Sequence, residues 1–559
     1  MSVVKPFGGK TLALTIARPV FVCILIGVAT AYVALLQTPA AGTFHDDGVY
    51  LVTAKALAEG QGYRIISLPG EPAQTKYPIL FPWLVSLVWH LNPSFPANLP
   101  WLRLVPLLAT LAWLSLSWPL LRRFGASRTQ ASAIVMLTAI SPWVAFLSTA
   151  LMSETLFALL LTAGLLVMTR AHHEDGWRVD PFVAGVLFGA AVLTRIAGIA
   201  PAAAAVAMFV GTRRWMSAAQ CFVGSSVIIA PWFWWVSLQT AGAATDPYYS
   251  ASNYASWNIV TSYAWPEKLS VLLMNATVGG LAFTEIWGVR VPAAPALLAG
   301  AAALMLVCSG LWRARREPVA TVMLAYCAIH AAWVWPPLRF AVPVIPLLLW
   351  LGFIGAAKQR LLGGVVAAVL FVAGGFQLWM TVVQAREKGI VSPVAGTENW
   401  NDTARLLNWI SLETPQDATL TGNLDPMYYL FTGRKAVRAF ATDPYSLFYD
   451  LGHRSSSPLG TVDGFRNRLL ATKSDYVVVT ATSRSGEAKH LNQLVYELSR
   501  RCSRGFSLVA GTVDSGYAIY KTDLPLLAHP ETCAKEEYLA EGDFRSYRSR
   551  VDAADRQLP

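Results

Sequence analysis

Long apolar blocks alternate with short polar connections along the first 383 residues. The hydrocarbon core of a bilayer needs a helix of roughly 20 apolar residues to cross it. The blocks therefore predict nine membrane-spanning helices, near residues 14–36, 102–121, 130–147, 153–169, 217–239, 293–311, 319–335, 341–357 and 362–383.

Two apolar stretches do not fit a simple span. The stretch 181–211 is too short for two full spans with a loop, so it predicts a hairpin of two short helices, 181–194 and 197–211, with Arg195 at its tip. Together with the nine spans, this hairpin brings the prediction to eleven helical segments. The stretch 79–91 is apolar but too short to span, and we expect it to lie along the membrane interface.

The pattern changes near residue 395, where amphipathic helical segments begin to alternate with short strand-like segments. This alternation predicts a small α/β domain. We therefore divide the chain into a membrane domain, a soluble α/β domain and a polar tail that we expect to be disordered, at residues 1–383, 384–540 and 541–559.

Composition supports a membrane protein. Hydrophobic residues make up 55% of the 559 residues and charged residues only 14%, whereas soluble domains carry about 25% charged residues. The net charge of +11 comes largely from short clusters of Arg and Lys between the apolar blocks. Basic residues are typical of cytoplasmic loops, so the clusters explain the charge without a nucleic-acid partner.

These clusters also orient the chain. With the basic loops inside, the N-terminus is cytoplasmic and an odd number of spans leaves the soluble domain extracytoplasmic. Residues 37–101, a turn near 148–153, the loop 240–292 and everything after about residue 384 then lie outside the membrane on that side. Cys502 and Cys533 could form a disulfide there.

Six charged residues need an explanation, because charge at membrane depth is costly and usually functional. In the predicted topology all six fall on the extracytoplasmic side, where they converge on one cavity: Asp46, Asp47, Lys76, Glu154, Arg195 and Arg339. Structural interpretations stay open for four of them. Asp47 and Glu154 could cap or begin helices, and Arg195 and Arg339 could reach the lipid headgroups.

The order of these residues resembles the GT-C superfamily of polytopic membrane glycosyltransferases, in its bacterial branch related to protein O-mannosyltransferases and aminoarabinose transferases. An acidic pair followed by a tyrosine opens the first extracytoplasmic loop of that family, and a lysine segment follows about thirty residues later. The matching segments here are Asp46-Asp47-Gly48-Val49-Tyr50, Lys76-Tyr77-Pro78, Leu193-Thr194-Arg195, Arg339-Phe340 and Thr432-Gly433-Arg434.

The resemblance implies a GT-C-like fold in a cell inner membrane and a sugar donor linked through phosphate to a polyprenyl chain. Lys76, Arg195 and Arg339 would bind the phosphate, with Tyr50 and Tyr77 also binding substrate. Asp46 would act as the base of a metal-independent, inverting displacement, and the other two catalytic candidates, Asp47 and Glu154, would orient the acceptor or tune that base. The acceptor, a lipid, a glycan or a protein, stays open. We expect no cofactor, since no nucleotide-binding fingerprint is present.

Three other kinds of membrane protein compete with a glycosyltransferase. A transporter or flippase would also place charges in the membrane, but spread along several helices and in repeated halves. A membrane scaffold leaves the charged residues without a role. An O-antigen polymerase or ligase of lipid-linked glycans is the nearest enzymatic alternative, although such proteins place their key residues in a large late loop.

Overall fold

The computed structural model describes residues 18–173, 179–242, 264–289, 292–333, 335, 337–356, 360–393, 399–438, 460–480, 485–512 and 516–529. Within them the chain is mostly helical, with one small sheet near its C-terminal end. The helices before residue 390 are α1 (Arg18–Leu36), α2 (Asp46–Ala58), α3 (Leu80–Leu91), α4 (Leu99–Leu102), α5 (Leu104–Arg123), α6 (Arg128–Ile140), α7 (Pro142–Thr149), α8 (Glu154–His173), α9 (Asp180–Thr194), α10 (Ile199–Gly211), α11 (Trp215–Gly242), α12 (Trp265–Glu285), α13 (Ala293–Arg313), α14 (Pro318–Ala331), α15 (Leu338–Ala341), α16 (Ile345–Gly355) and α17 (Arg360–Lys388).

Six of the described helical stretches are long and apolar enough to cross a membrane, and a seventh span results if α6 and α7 are taken as one. The chain is therefore a multi-pass membrane protein. The predicted span 130–147 is broken at Ser141, where Pro142 begins α7 and the axis bends by 62°. A proline at the first helical position suits a new helix start, which explains the break.

The predicted hairpin is present, because α9 and α10 flank a 3₁₀ turn at Ile196–Gly198 and Arg195 lies between them. Helix α9 packs closely on α11. A Cβ added at Gly185 would lie 2.2 Å from the Cys221 carbonyl oxygen, so only glycine fits this crossing. The hairpin thereby holds the Arg195 backbone in place.

Two outer segments differ in how well the sequence predicted them. The stretch 79–91 forms a helix as expected, α3, with an exposed face that includes Trp83 and Leu91. The predicted loop 240–292 instead contains the 21-residue helix α12. This helix packs on α13, and its Asn275 amide donates hydrogen bonds to the carbonyl oxygens of His330 and Ala331 at the end of α14.

The C-terminal region forms a five-stranded sheet of order β2-β1-β3-β5-β4, parallel across β2, β1 and β3 and antiparallel for the rest. Helices and strands alternate in this region, as the sequence pattern predicts. The sheet elements are β1 (Thr419–Gly422), β2 (Lys435–Val437), β3 (Tyr476–Thr480), β4 (Phe506–Thr512) and β5 (Tyr517–Thr522), with helices α18 (Trp400–Glu413), α19 (Asp425–Thr432), α20 (Val462–Thr472), α21 (Ser485–Arg501) and α22 (Leu524–Ala528). Cys502 is disulfide-bonded, while Cys533 and the predicted tail lie outside the described residues.

The α/β domain rests directly on the loop between α2 and α3. The Ala436 amide of β2 donates to the Ser67 carbonyl oxygen at 2.9 Å. Nearby, the Lys435 ammonium lies 2.7 Å from a Glu71 carboxylate oxygen. On the other side of this interface α19 packs against α2, which carries the first acidic pair.

Candidate active site

The loop that leads into α2 is fixed by two charged side chains of opposite sign. The buried guanidinium of Arg103 donates to the carbonyl oxygens of Leu36, Thr38 and Ala40. The Asp47 carboxylate accepts from the amides of two residues further along the same loop, Gly42 at 2.7 Å and Phe44 at 2.9 Å. Backbone polar groups at both ends of the loop are thereby satisfied.

Asp46 and Asp47 are neighbours in sequence but face different surroundings. Asp47 is buried, 3% exposed, and its carboxylate faces the loop backbone. The Asp46 side chain is 22% exposed and meets side chains from two distant segments. Its Oδ1 accepts from the Tyr77 hydroxyl at 2.6 Å, and its Oδ2 accepts from Arg339 Nη1 at 2.7 Å.

Glu154, the first residue of α8, joins the two arginines. Its Oε1 lies 2.8 Å from Arg195 Nη1 and also accepts from Arg339 Nε. Arg339 on α15 thus bridges Asp46 and Glu154, which makes one connected cluster of four charged side chains. Charge-assisted bonds of this kind are stronger and shorter than neutral ones, so the cluster holds its members in fixed positions.

Neutral and aromatic groups support this cluster. The buried Ser153 hydroxyl lies 3.0 Å from the Tyr50 hydroxyl and accepts from Arg195 Nη1 at 3.2 Å. The Arg195 guanidinium also lies 5.2 Å from the centre of the Phe340 ring, a cation–π distance. Tyr50 therefore helps to place Arg195 through Ser153.

Lys76 completes the basic side of the site. It is buried, and its ammonium lies 4.9 Å from the centre of the Tyr77 ring, whose hydroxyl binds Asp46. The Lys76 amide donates to Gln74 Oε1 at 2.9 Å, which fixes the backbone at this point. The structure therefore brings seven of the eight predicted site residues together: Asp46, Tyr50, Lys76, Tyr77, Glu154, Arg195 and Arg339. Asp47 instead holds the loop that leads to Asp46.

Electrostatics distinguish the two adjacent aspartates. Burial acts to raise the pKa of Asp46, but the charges of Arg339 and Lys76 and the Tyr77 hydrogen bond outweigh it, and the pKa lies well below its usual range. Burial raises the pKa of Asp47 to about 6. Burial also raises the pKa of Tyr50 to about 12, so its hydroxyl stays protonated.

Lys76 adds a third cation beside this cluster. Among the described residues of the site, the cations Lys76, Arg195 and Arg339 lie near the carboxylates of Asp46 and Glu154. Within the described part of the chain, Arg339 Nη2 and Glu154 Oε2 are buried and have no hydrogen-bond partner. A buried donor without a partner on a guanidinium suits an anion, because an unsatisfied buried donor is costly.

Sequence reasoning missed two residues of this site. Ser153 and Arg103 carry no signal in an apolar sequence context, although Ser153 accepts from Arg195 and Arg103 donates to the backbone of the loop before α2. The motif at 432–434 has a structural role instead. Gly433 ends α19 in the left-handed conformation with φ 75°, and the buried Arg434 donates to backbone oxygens within its own domain, including those of Ser411 and Thr414.

Comparison with known proteins identifies the fold. No protein-family model and no curated protein matches the sequence. The structure is similar to ArnT from Cupriavidus metallidurans bound to undecaprenyl phosphate, with a TM-score of 0.54 and 15% identity over 90% of this chain and 98% of that one. It is also similar to the oligosaccharyltransferase AglB from Archaeoglobus fulgidus in complex with an inhibitory peptide and a dolichol-phosphate, with a TM-score of 0.50 and 12% identity over 93% and 75% of the two chains.

A second structure of the Archaeoglobus fulgidus oligosaccharyltransferase, tethered to an acceptor peptide that contains the NVT sequon, gives a TM-score of 0.50 at 13% identity, over 91% of this chain and 74% of that one. At such low identities the similarity concerns the fold. The chain shares its fold with these proteins, which confirms the fold that the resemblance to the GT-C superfamily implied.

Proposed function

We propose that this protein is a glycosyltransferase that moves a sugar from a polyprenyl-phosphate donor to an acceptor on the extracytoplasmic face of the membrane. The observation that carries the proposal is the charged cluster with Lys76 beside it, in which Arg339 Nη2 is buried and has no hydrogen-bond partner among the described residues. The GT-C fold supports it, since ArnT and AglB have structures bound to undecaprenyl phosphate and to a dolichol-phosphate.

The cations provide a site for the donor phosphate. Arg195 and Arg339 present guanidinium groups, whose geometry suits phosphate oxygens, and Lys76 adds a point charge. When the bond between the sugar and the phosphate breaks, the leaving phosphate keeps the electron pair. Fixed cations stabilise this developing negative charge without having to reorganise.

Asp46 is the carboxylate best placed to act as the base. Its side chain is 22% exposed, whereas that of Glu154 is 1% exposed, and Asp47 is turned toward the loop backbone. Asp46 would take the proton from an acceptor hydroxyl or amine as that group attacks the anomeric carbon. Attack opposite the leaving phosphate inverts the configuration of the sugar.

The depressed pKa of Asp46 makes it a weak base before the donor binds. A phosphate bound to Lys76 and Arg339 adds negative charge beside Asp46 and offsets the two cations that lower its pKa. The proton affinity of Asp46 therefore rises when the donor is in place, which brings its pKa closer to the value that suits general-base catalysis near neutral pH.

The other members of the cluster position these groups. Glu154 holds Arg195 and Arg339 at one carboxylate oxygen, and Tyr77 orients Asp46. A flippase is the main rival, but its charges would follow a path across the membrane. Here the charges form a single cluster of side chains in mutual contact, which supports one catalytic site and not a transport path.

The proposal is tested with purified protein in lipid vesicles that contain radiolabelled polyprenyl-phosphate sugars and an envelope lipid extract as acceptor source. Wild-type protein should release polyprenyl phosphate and form a labelled product, whereas Arg339→Met should lose most of this activity. Arg405→Met is the matched control, because it removes the same charge from an exposed position on α18.

Two outcomes would contradict the proposal. Movement of intact donor across the vesicle membrane, without cleavage of its sugar–phosphate bond, would identify a flippase. Equal activity of the Arg339→Met and Arg405→Met variants would show that the charged cluster does not take part in the reaction. Comparison of lipid-linked glycans and surface polymers between a deletion strain and its parent would then identify the sugar and the acceptor.

A further inference from the structure

The soluble domain contacts the loop residue that immediately precedes Asp46. His45 Nε2 lies 3.1 Å from Asp425 Oδ1, and the two side chains are 8% and 0% exposed. Asp425 is the first residue of α19 in the α/β domain. A buried polar contact therefore joins the two domains one residue from the proposed base.

His45 has an unusual backbone conformation. Its φ is 62° and its ψ −56°, and the Asp46 amide donates to the Phe44 carbonyl oxygen at 2.7 Å across it. This is the γ-turn with positive φ, which is rare and strained for a residue with a side chain. Strained backbone persists only where the surroundings hold it, and the buried contact with Asp425 is one such restraint.

Two glycines bring α19 directly against the same loop. A Cβ added at Gly42 would lie 2.8 Å from the Met427 Cβ, and one at Gly48 would lie 2.9 Å from the Pro426 Cβ. These positions lie on either side of His45 in the sequence. Helix α19 thus contacts the loop before the γ-turn and the first turn of α2 after it, which leaves the γ-turn little room to move.

We propose that Asp425 is a positioning residue of the soluble domain that acts through His45 to hold Asp46 against Tyr77 and Arg339. The inference rests on the proposed function, in which Asp46 is the base. It adds that transfer depends on the soluble domain being seated on α2. A misplacement of about 1 Å at a reacting group can cost about 100-fold in rate, so this contact controls the chemical step.

The test uses the full-length protein and three variants. Asp425→Ala removes the acceptor, and His45→Asn keeps a Cβ and a polar end but is too short to reach Asp425. The double variant reports whether the two residues act through each other. Lys435→Met is the control, because it breaks a different interdomain contact, the ion pair with Glu71, whose side chains are 32% and 43% exposed.

We expect kcat to fall about 10- to 100-fold in both single variants. The kcat of the double variant should be no lower than that of the less active single variant. The apparent KM for the donor should change much less than kcat, since Lys76 and Arg195 lie on other segments and Glu154 still holds Arg339. Lys435→Met should leave both constants unchanged. Equal losses of kcat in Asp425→Ala and Lys435→Met would show that Asp425 only helps to dock the soluble domain, and would overturn the inference.

Hydrogen exchange gives a second readout that does not depend on activity. Asp425→Ala should speed exchange in peptides that cover residues 42–49, where the Gly42 and Phe44 amides are bonded to Asp47. Peptides from α3 should exchange as in the wild type. Unchanged exchange at 42–49 would refute the positioning role. If Asp425→Ala speeds exchange at 42–49 but the wild-type protein transfers no sugar, the positioning role is retained and the proposed function is rejected.

Discussion

Replacement of Asp46 by Asn separates the charge of this residue from its shape. The carboxylate now accepts from Tyr77 at 2.6 Å and from Arg339 at 2.7 Å. In Asp46→Asn the amide oxygen can still accept from Arg339, while the amide nitrogen faces Tyr77, whose hydroxyl can turn to accept. We therefore expect the cluster to keep its arrangement and to lose one charge and one proton acceptor.

Both stability and activity should fall in this variant. Because the pKa of Asp46 lies well below its usual range, its charge stabilises the fold, so Asp46→Asn should lower the melting temperature even though Arg339 keeps its bond to Glu154. A general base contributes about 10²- to 10⁴-fold in rate, which corresponds to about 3 to 5 kcal/mol of activation free energy. Rates measured below the melting temperature of the variant should show this loss in folded protein.

The pH dependence adds a second signature. In the free enzyme the pKa of Asp46 lies well below its usual range, so kcat/KM should not lose activity through this group at mildly acidic pH. The bound phosphate raises that pKa in the proposed mechanism, and kcat reports the enzyme–substrate complex. The acidic limb of kcat should therefore lie at higher pH than that of kcat/KM.

The assay measures initial rates of polyprenyl phosphate release in vesicles across pH, with thermal unfolding recorded in parallel. Glu154→Gln is the matched comparison, since it also converts a carboxylate of the cluster to an amide. Near-normal transfer by Asp46→Asn together with complete loss in Glu154→Gln would show that Glu154 is the base. An acidic limb at the same pH for kcat and kcat/KM would refute the role given to the bound phosphate.

Three further predictions concern Arg195, Asp47 and the soluble domain. Arg195→Lys replaces a planar group bonded to Ser153 and Glu154 by a point charge. The apparent KM for the donor should therefore rise in a titration at fixed acceptor. An unchanged KM would show that Arg195 has only a structural role. Burial raises the pKa of Asp47 to about 6, above about 3.9 in the unfolded chain. The protonated form is therefore favoured in the folded state, and this group should reduce the free energy of unfolding by up to about 3 kcal/mol as the pH rises from 4 to 6. Melting temperatures of Asp47→Asn, measured across this pH range, should lack that decrease. Alkaline phosphatase fused after residue 400 should be active, because we expect the soluble domain to be extracytoplasmic; activity of a cytoplasmic reporter at the same point would reverse the orientation.

The helical framework was predictable because its signal is local. Apolar blocks of sufficient length predict spans whatever their neighbours are, and the short hairpin around Arg195 followed from length alone. The helix α12 was missed because Glu267, Lys268 and Asn275 interrupt its apolar pattern. The bend at Ser141 was missed because Pro142 lies within a continuous apolar block.

The site was predictable only as a list of residues. Charge at membrane depth singled out the six candidates, but their pairing depends on the fold, since Asp46 and Arg339 lie 293 residues apart. The sequence could not distinguish Asp46 from Asp47 either. Successive residues at a helix start point in different directions, and only the packed structure shows that one faces Arg339 and the other faces the loop amides.

The contact between His45 and Asp425 also orders events during biosynthesis. The two residues are separated by 380 positions, and ribosomes add about 5 to 20 residues per second. Roughly 20 to 75 s therefore pass between the synthesis of the loop and that of the helix that seats on it. A nascent chain that has passed Arg339 but not reached α19 carries every charged residue of the cluster and lacks the contact with Asp425. In the proposed positioning role, such a chain cannot yet hold Asp46 in its working position.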